Sequence, residues 1–315
     1  MIAAAPTLPA TEAMAAGDSL WASFEAGRTS FAQVVTGMRA LAKHPERHAA
    51  TFIPTHLEGV ASTLLSPEDA RAAGRLQAAL YAPRLAELGL DLHAGAYASE
   101  PVERRELRRQ LIGIVAEAGL NPSLRGRIRS ALDAYLAGDQ AALDPAFRPI
   151  AYDIAAQDGG DSMLTRLFDR LIQSNDPQER SAIVGAIGHV DHADRAPRVI
   201  ALSRDPRLRN LEGLRMVLGL LRNASTRDQG YTYIVSNFGP LVKSTPLIAS
   251  NLLGIGSGYC SEQRARQTEV DLRPKVAQYH LSALELDRSV EAVRQCAAFK
   301  AAKGAEIRAG LAAFR

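Results

Sequence analysis

The chain has 315 residues, 47% of them hydrophobic and 23% charged, and its 37 Lys and Arg against 34 Asp and Glu leave a formal charge of +3. That balance belongs to a globular protein with a substantial core. The near-neutral charge gives no reason to expect a nucleic-acid partner, and no apolar stretch approaches the ~20 residues that cross a bilayer, so no membrane is expected either. Aromatics make up only 5%, while Ala, Leu and Arg recur throughout. These residues lose little rotamer freedom in a helix, and composition alone points to an all-α fold.

The start, Met1 to Pro9, is rich in Ala and Pro and lacks the basic segment and apolar run of a secretion signal, which slightly favours a cytoplasmic protein. The two cysteines, Cys260 and Cys296, are too few for a disulfide framework and are expected to be free thiols.

Along the chain, the first segment that invites a chemical reading is His44-Pro45-Glu46-Arg47-His48, two histidines four apart. Zinc peptidases carry Glu directly after the first His, where it acts as general base. Here Pro45 takes that place and disfavours helical geometry at His44, so a helix-end turn is the expected role. A break at Tyr97 to Pro101 precedes an Arg-rich helix, Glu103 to Glu117, and Leu107, Leu111, Ile114, Val115 and Ala118 follow a helical period there. The break is not read as a domain split, and residues 1–315 are expected to form a single helical repeat domain.

The pattern Asn/Asp-Pro-x-x-Arg then occurs four times, at Asn121 to Arg125, Asp144 to Arg148, Asp176 to Arg180 and Asp205 to Arg209. Asn or Asp suits an N-cap and Pro suits the first helical position, so each is expected to open a helix. Gly119, Gly138 and Gly159-Gly160 are expected as left-handed helix ends. The run Leu164, Leu167, Phe168, Leu171, Ile172 has helical period, and Tyr231 to Val235 is expected to be helical despite its strand-like residues. Gly254, Gly256 and Gly258 lack a preceding strand and a following Lys-Ser/Thr, so they are expected to form a turn rather than a phosphate loop. The marks lie 23 to 32 residues apart. That spacing suggests stacked antiparallel helical hairpins in a HEAT-like superhelical solenoid; an irregular helical bundle is the alternative.

In a curved solenoid, Arg125, Arg180 and Arg209 could line a groove for an acidic or C-terminal-carboxylate ligand, or they could point to water. His189 and His192 have no third ligand nearby in sequence and are expected on a surface loop.

Several stretches resemble the C-terminal helical domain of aminopeptidase N-type zinc peptidases, which is shared with endoplasmic reticulum aminopeptidase. Leu8-Pro9 with Glu12 and Phe24-Glu25-Ala26-Gly27 are similar to the family's opening helices, and Leu107-Arg108 resembles its Leu-Arg helix start. Ala186-Ile187-Gly188, Arg209-Asn210, Asn223 with Arg227, and Tyr231-x-Tyr233-x-x-x-Asn237-Phe238 resemble its most specific part. Tyr231 stands where Trp is typical, Gly239 where Asp is typical, and the Gln-Asp pair after Arg209 is not kept.

The resemblance implies a non-catalytic domain that docks on a catalytic domain, walls the substrate cavity and contacts peptide. Arg209, Asn210 and Asn237 are the substrate-binding nominees. It implies no metal in this chain, with zinc held by a separate catalytic domain through H-E-x-x-H; neither that motif nor Gly-x-Met-Glu-Asn occurs here. A free-standing helical-repeat scaffold that binds other proteins is the rival expectation.

Overall fold

A computed structural model describes residues 2–209 and 211–315, with side chains from Ala5 onward. Among the described residues there are fifteen α-helices and no strand. In chain order they are α1 (Ala10–Glu25), α2 (Phe31–Leu41), α3 (Arg47–Thr63), α4 (Pro67–Leu88), α5 (Val102–Ile112), α6 (Pro122–Leu136), α7 (Arg148–Asp158) and α8 (Gly160–Gln173). There follow α9 (Pro177–Gly188), α10 (Ala196–Leu202), α11 (Glu212–Gly219), α12 (Arg227–Ser236), α13 (Phe238–Ser244), α14 (Glu262–Gln278) and α15 (Leu284–Leu311). Helix α5 runs directly into a π-helical stretch, Gly113–Ala118.

The described residues cluster into two compact units. The first comprises Met1–Ala61, Leu65–Ile154 and Ala301–Arg315, and the second Ser62–Leu64 and Ala155–Lys300. In the first unit the core gathers Phe24, Phe31, Met38, Ile53, Leu57, Leu76 and Leu111, all essentially inaccessible. Tyr81 is buried among them because its hydroxyl donates to the Ala50 carbonyl at 2.7 Å. Helix α4 packs tightly on the π-helical stretch: a Cβ on Gly74 would lie 1.8 Å from the Ala118 carbonyl oxygen, so only glycine permits that approach. In the second unit Val217, Ile234, Phe238, Leu253, Leu272, Leu286 and Val293 form one apolar cluster.

Three of the four Asn/Asp-Pro marks open helices as the sequence suggests. Asn121 Oδ1 accepts from the Leu124 amide at 3.0 Å and Asp176 Oδ1 from the Gln178 amide at 2.9 Å. Asp144 accepts from the Ala146 amide at 2.9 Å and starts a 3-10 turn that leads into α7. The fourth does not open a helix. Asp205 accepts from the backbone amide of Arg207 and is gripped by the Arg207 side chain, and this closes a turn; α11 begins only at Glu212. Of the expected left-handed glycines, Gly138 and Gly160 have φ of +114° and +68°, whereas after Gly119 it is Leu120 that takes the positive φ, 52°.

The structure corrects the expectation of free thiols: Cys260 and Cys296 form a disulfide with their Cα atoms 5.0 Å apart. Cys260 lies just before α14 and Cys296 partway along α15, so the two sulfurs meet because α15 turns back along α14. Neither residue carries a local sequence signal of that hairpin, which is why counting cysteines missed it.

The roles of Arg125 and Arg180 are also corrected. They neither line a groove nor point to water, being 6% and 3% exposed. Each reaches back to the end of the preceding helix: Arg125 Nη1 donates to the Ala116 carbonyl at 2.9 Å, and Arg180 Nη1 to those of Leu171 and Ser174. Arg108 does the same for α4 through the Leu88 and Gly89 carbonyls, Arg195 for α7 through Ala156 and Gln157, and Arg227 for the turn after α11 through Leu221 and Arg222. The last carbonyls of a helix have no intrahelical partner and carry its negative dipole end, so a buried guanidinium satisfies both needs at once.

Candidate functional site

A cleft of about 300 Å³ in the second unit is formed by α8, α10 and the loop that follows α10. Helix α8 contributes Thr165, Phe168 and Asp169, α10 contributes Arg198, Ala201 and Leu202, and the loop contributes Arg204, Asp205 and Arg207. The helical period that buries Leu164, Leu167 and Leu171 on one face of α8 leaves Thr165 and Asp169 on the other.

Three guanidinium groups meet two carboxylates in this cleft, and their states differ. Arg207 is locked: Nε and Nη2 donate to the two oxygens of Asp205 at 2.9 and 2.8 Å, and its carbon sits 5.6 Å from the Phe168 ring centre. The Arg207 side chain, helped by its own amide, holds the Asp205 carboxyl down to about 2. Arg198 is half-committed, giving Nη2 to the Thr165 hydroxyl at 3.0 Å. Arg204 is exposed, and its guanidinium has no hydrogen bond or ion pair among the described residues. The cleft therefore offers one free and one partly free planar donor beside an aromatic face, a suitable arrangement for a carboxylate or another small planar anion.

Arg209 follows the cleft loop. It is exposed, and its Nη2 donates to Asn175 Oδ1 at 3.3 Å while its backbone amide donates to Glu212 Oε2 at 2.8 Å. Glu212 is in turn clasped by the Arg180 fork, with Nε to Oε1 at 2.8 Å and Nη2 to Oε2 at 2.6 Å. Burial pushes the Glu212 carboxyl up, but the hydrogen bonds from Arg180 and the Arg209 amide outweigh it, and the net direction is down. Buried Glu179 forms a separate pair, bonded by Arg170 and the Ser174 hydroxyl. Asn237 sits at the junction of α12 and α13, half-buried, with Nδ2 donating to the Tyr233 carbonyl at 2.8 Å. Asn210 lies outside the described residues.

Tyr231, in the family-like segment, serves packing and hydrogen bonding. Tyr231 is 5% exposed and donates to Asp271 Oδ2 at 3.0 Å; its ring meets that of Tyr259 edge-on at 5.6 Å. Asn223, in the same segment, ties the loop after α9 by donating to the carbonyls of His189 and Val190 at 3.0 and 3.1 Å.

His44 does not fit a zinc site. It is 3% exposed, its Nε2 lies 3.0 Å from the Leu8 carbonyl, and its Nδ1 accepts from the Glu46 amide at 3.1 Å. Both ring nitrogens are occupied by backbone groups. The Arg198–Arg204–Arg207 set was not foreseen. Its only sequence signal is four arginines, with Arg209, in twelve residues, which does not distinguish ion-paired from free side chains.

Residues 2–295 match the family described as the ERAP1-like C-terminal domain. No curated protein matches the chain significantly.

Proposed function

The chain belongs to the ERAP1-like C-terminal domain family, a family of aminopeptidase C-terminal domains, and from that membership we propose that it is a non-catalytic module. In this reading it docks on the catalytic domain of a zinc aminopeptidase and walls the peptide cavity. The family match over residues 2–295, in a chain without H-E-x-x-H, carries the proposal. Zinc then belongs to the catalytic domain, and this chain contributes shape and charge.

Stacked helical hairpins of the HEAT-like kind would suit that task. Packing of α9 against both α8 and α11, and of α10 against both α11 and α12, is consistent with such layering. The cleft of Arg198, Arg204 and Arg207 is our nominated contact for the peptide's C-terminal carboxylate, with exposed Arg209 beside it in sequence; Asn237 is nominated for a backbone contact.

Two measurements test the reading. The isolated chain, supplied with zinc, should not hydrolyse aminoacyl chromogenic substrates; hydrolysis abolished by His44→Ala would overturn the non-catalytic role. Peptides with a free C-terminus should bind more tightly than their amidated counterparts. That preference should vanish in Arg204→Ala, and a preference unchanged by Arg198→Ala and Arg204→Ala would remove the cleft from the proposal.

A further inference from the structure

The Cys260–Cys296 disulfide is asymmetric. Cys260 is 9% exposed and directly precedes Ser261, the N-cap of α14, whose hydroxyl accepts from the Arg264 amide at 3.2 Å. Cys296 lies on α15, half-buried, next to exposed Gln295. A thiolate attacks a disulfide in line with the S–S bond, so the more accessible sulfur is the one struck and the other departs as thiolate. The departing group would here emerge at the positive end of a seventeen-residue helix, where thiolates are favoured. Glu262 opposes this from the first helical position, although Arg294 reaches it at 3.9 Å.

From this geometry we propose that Cys296 is a site of thiol modification: small-molecule thiols add at its sulfur and expel Cys260. The step balances without an external oxidant. The incoming thiolate forms a bond to Cys296 Sγ, the Cys260–Cys296 bond breaks, and Cys260 keeps the electron pair as thiolate. A second thiol can release the adduct and leave both cysteines reduced. The surrounding apolar cluster, with Leu272, Leu286, Val290 and Val293, does not depend on the bond, so the modified chain remains folded with a lower melting temperature.

The test uses the whole chain purified without reductant. It is incubated with excess glutathione near neutral pH, quenched in acid, alkylated and digested with trypsin. The two cysteines fall on separate peptides, Ser244–Arg264 and Gln295–Lys300. The expected result is glutathione on the Cys296 peptide and the alkylating label on Cys260, in roughly tenfold excess over the reverse pattern. Glu262→Gln, which removes the charge opposing the leaving thiolate, should speed the exchange severalfold with the site unchanged. Glutathione mainly on Cys260, equal labelling of both, free thiols before treatment, or no adduct on the folded chain while a urea-unfolded control reacts would each overturn the proposal.

Discussion

Replacing Arg180 by Met separates a structural from a ligand-binding role for the helix-start arginines. In the native chain Arg180 makes two charged hydrogen bonds to Glu212 and donates to the Leu171 and Ser174 carbonyls, in surroundings that leave it 3% exposed. Methionine keeps most of the apolar volume but strands the Glu212 carboxylate, whose side chain is only 14% exposed, and unpairs the end of α8. Removing one partner of a buried ion pair costs about 3–5 kcal/mol. At roughly 2–4 °C per kcal/mol for a cooperative unit of 150–250 residues, the melting temperature should fall by roughly 6–20 °C. Chemical unfolding monitored by circular dichroism supplies the free energy, and calorimetry the temperature. Adding Glu212→Gln to Arg180→Met removes the stranded charge and should recover about 1–2 kcal/mol. A loss below about 1 kcal/mol for Arg180→Met, or purely additive losses in the double variant, would refute the capping account.

On α9, Gly188→Ala places a Cβ 2.6 Å from the Met216 carbonyl oxygen and 3.1 Å from Gly219 Cα, so the crossing of α9 and α11 must open at a cost of about 1–3 kcal/mol. Gly185→Ala, on the same helix with nothing within 4 Å of its Cβ, should instead stabilise by about 0.5–1 kcal/mol, and urea midpoints compare the two. Asp205 titrates in the folded chain at about 2 rather than its ordinary 3.8. A lowered carboxyl pKa stabilises the fold above the unfolded value, and this contribution fades as pH falls from about 4 towards 2. Carboxyl-resolved NMR titration should find that low midpoint, and Arg207→Gln should raise it; a native midpoint near 4 would contradict the locked pair. Reduction of the Cys260–Cys296 bond should lower the melting temperature of the wild-type chain by several degrees and leave Cys260→Ser/Cys296→Ser unaffected.

The helical class was legible because it rests on local chemistry repeated many times. Asn121 and Asp176 cap helices for reasons contained within four consecutive residues, and the apolar period of α8 survives any tertiary arrangement. Asp205-Pro206 shows where that logic ends. The same two residue types precede a turn, because Arg207 is near enough to take the carboxylate that a helix start would have used. Capping preference is decided by competition for one side chain, and the competitor sits at a position that the motif leaves unspecified.

The arginines are where sequence and structure part most clearly, and the reason is geometric. Arg125, Arg180 and Arg209 stand at the same offset from a Pro, but only the first two follow a helix whose terminal carbonyls lie within reach of the guanidinium. Arg209 follows a loop, finds Asn175 instead, and stays exposed. A repeat in sequence thus becomes a repeat in function only where the preceding element also repeats. The same condition bears on the cleft: Arg207 is paired with both oxygens of Asp205 while Arg204, three residues earlier, is not paired, so counting arginines overstates the charge offered to a ligand. If peptide carboxylates bind there, Arg204 should carry most of the affinity and Arg207 should act by shaping the site against Phe168. Arg204→Ala should then weaken a free-carboxylate peptide by about tenfold, corresponding to ~1.4 kcal/mol, while Arg207→Ala should change peptide affinity less than it changes stability. The opposite ranking would mean that the Asp205–Arg207 pair opens on binding and that the resting geometry misidentifies the donor.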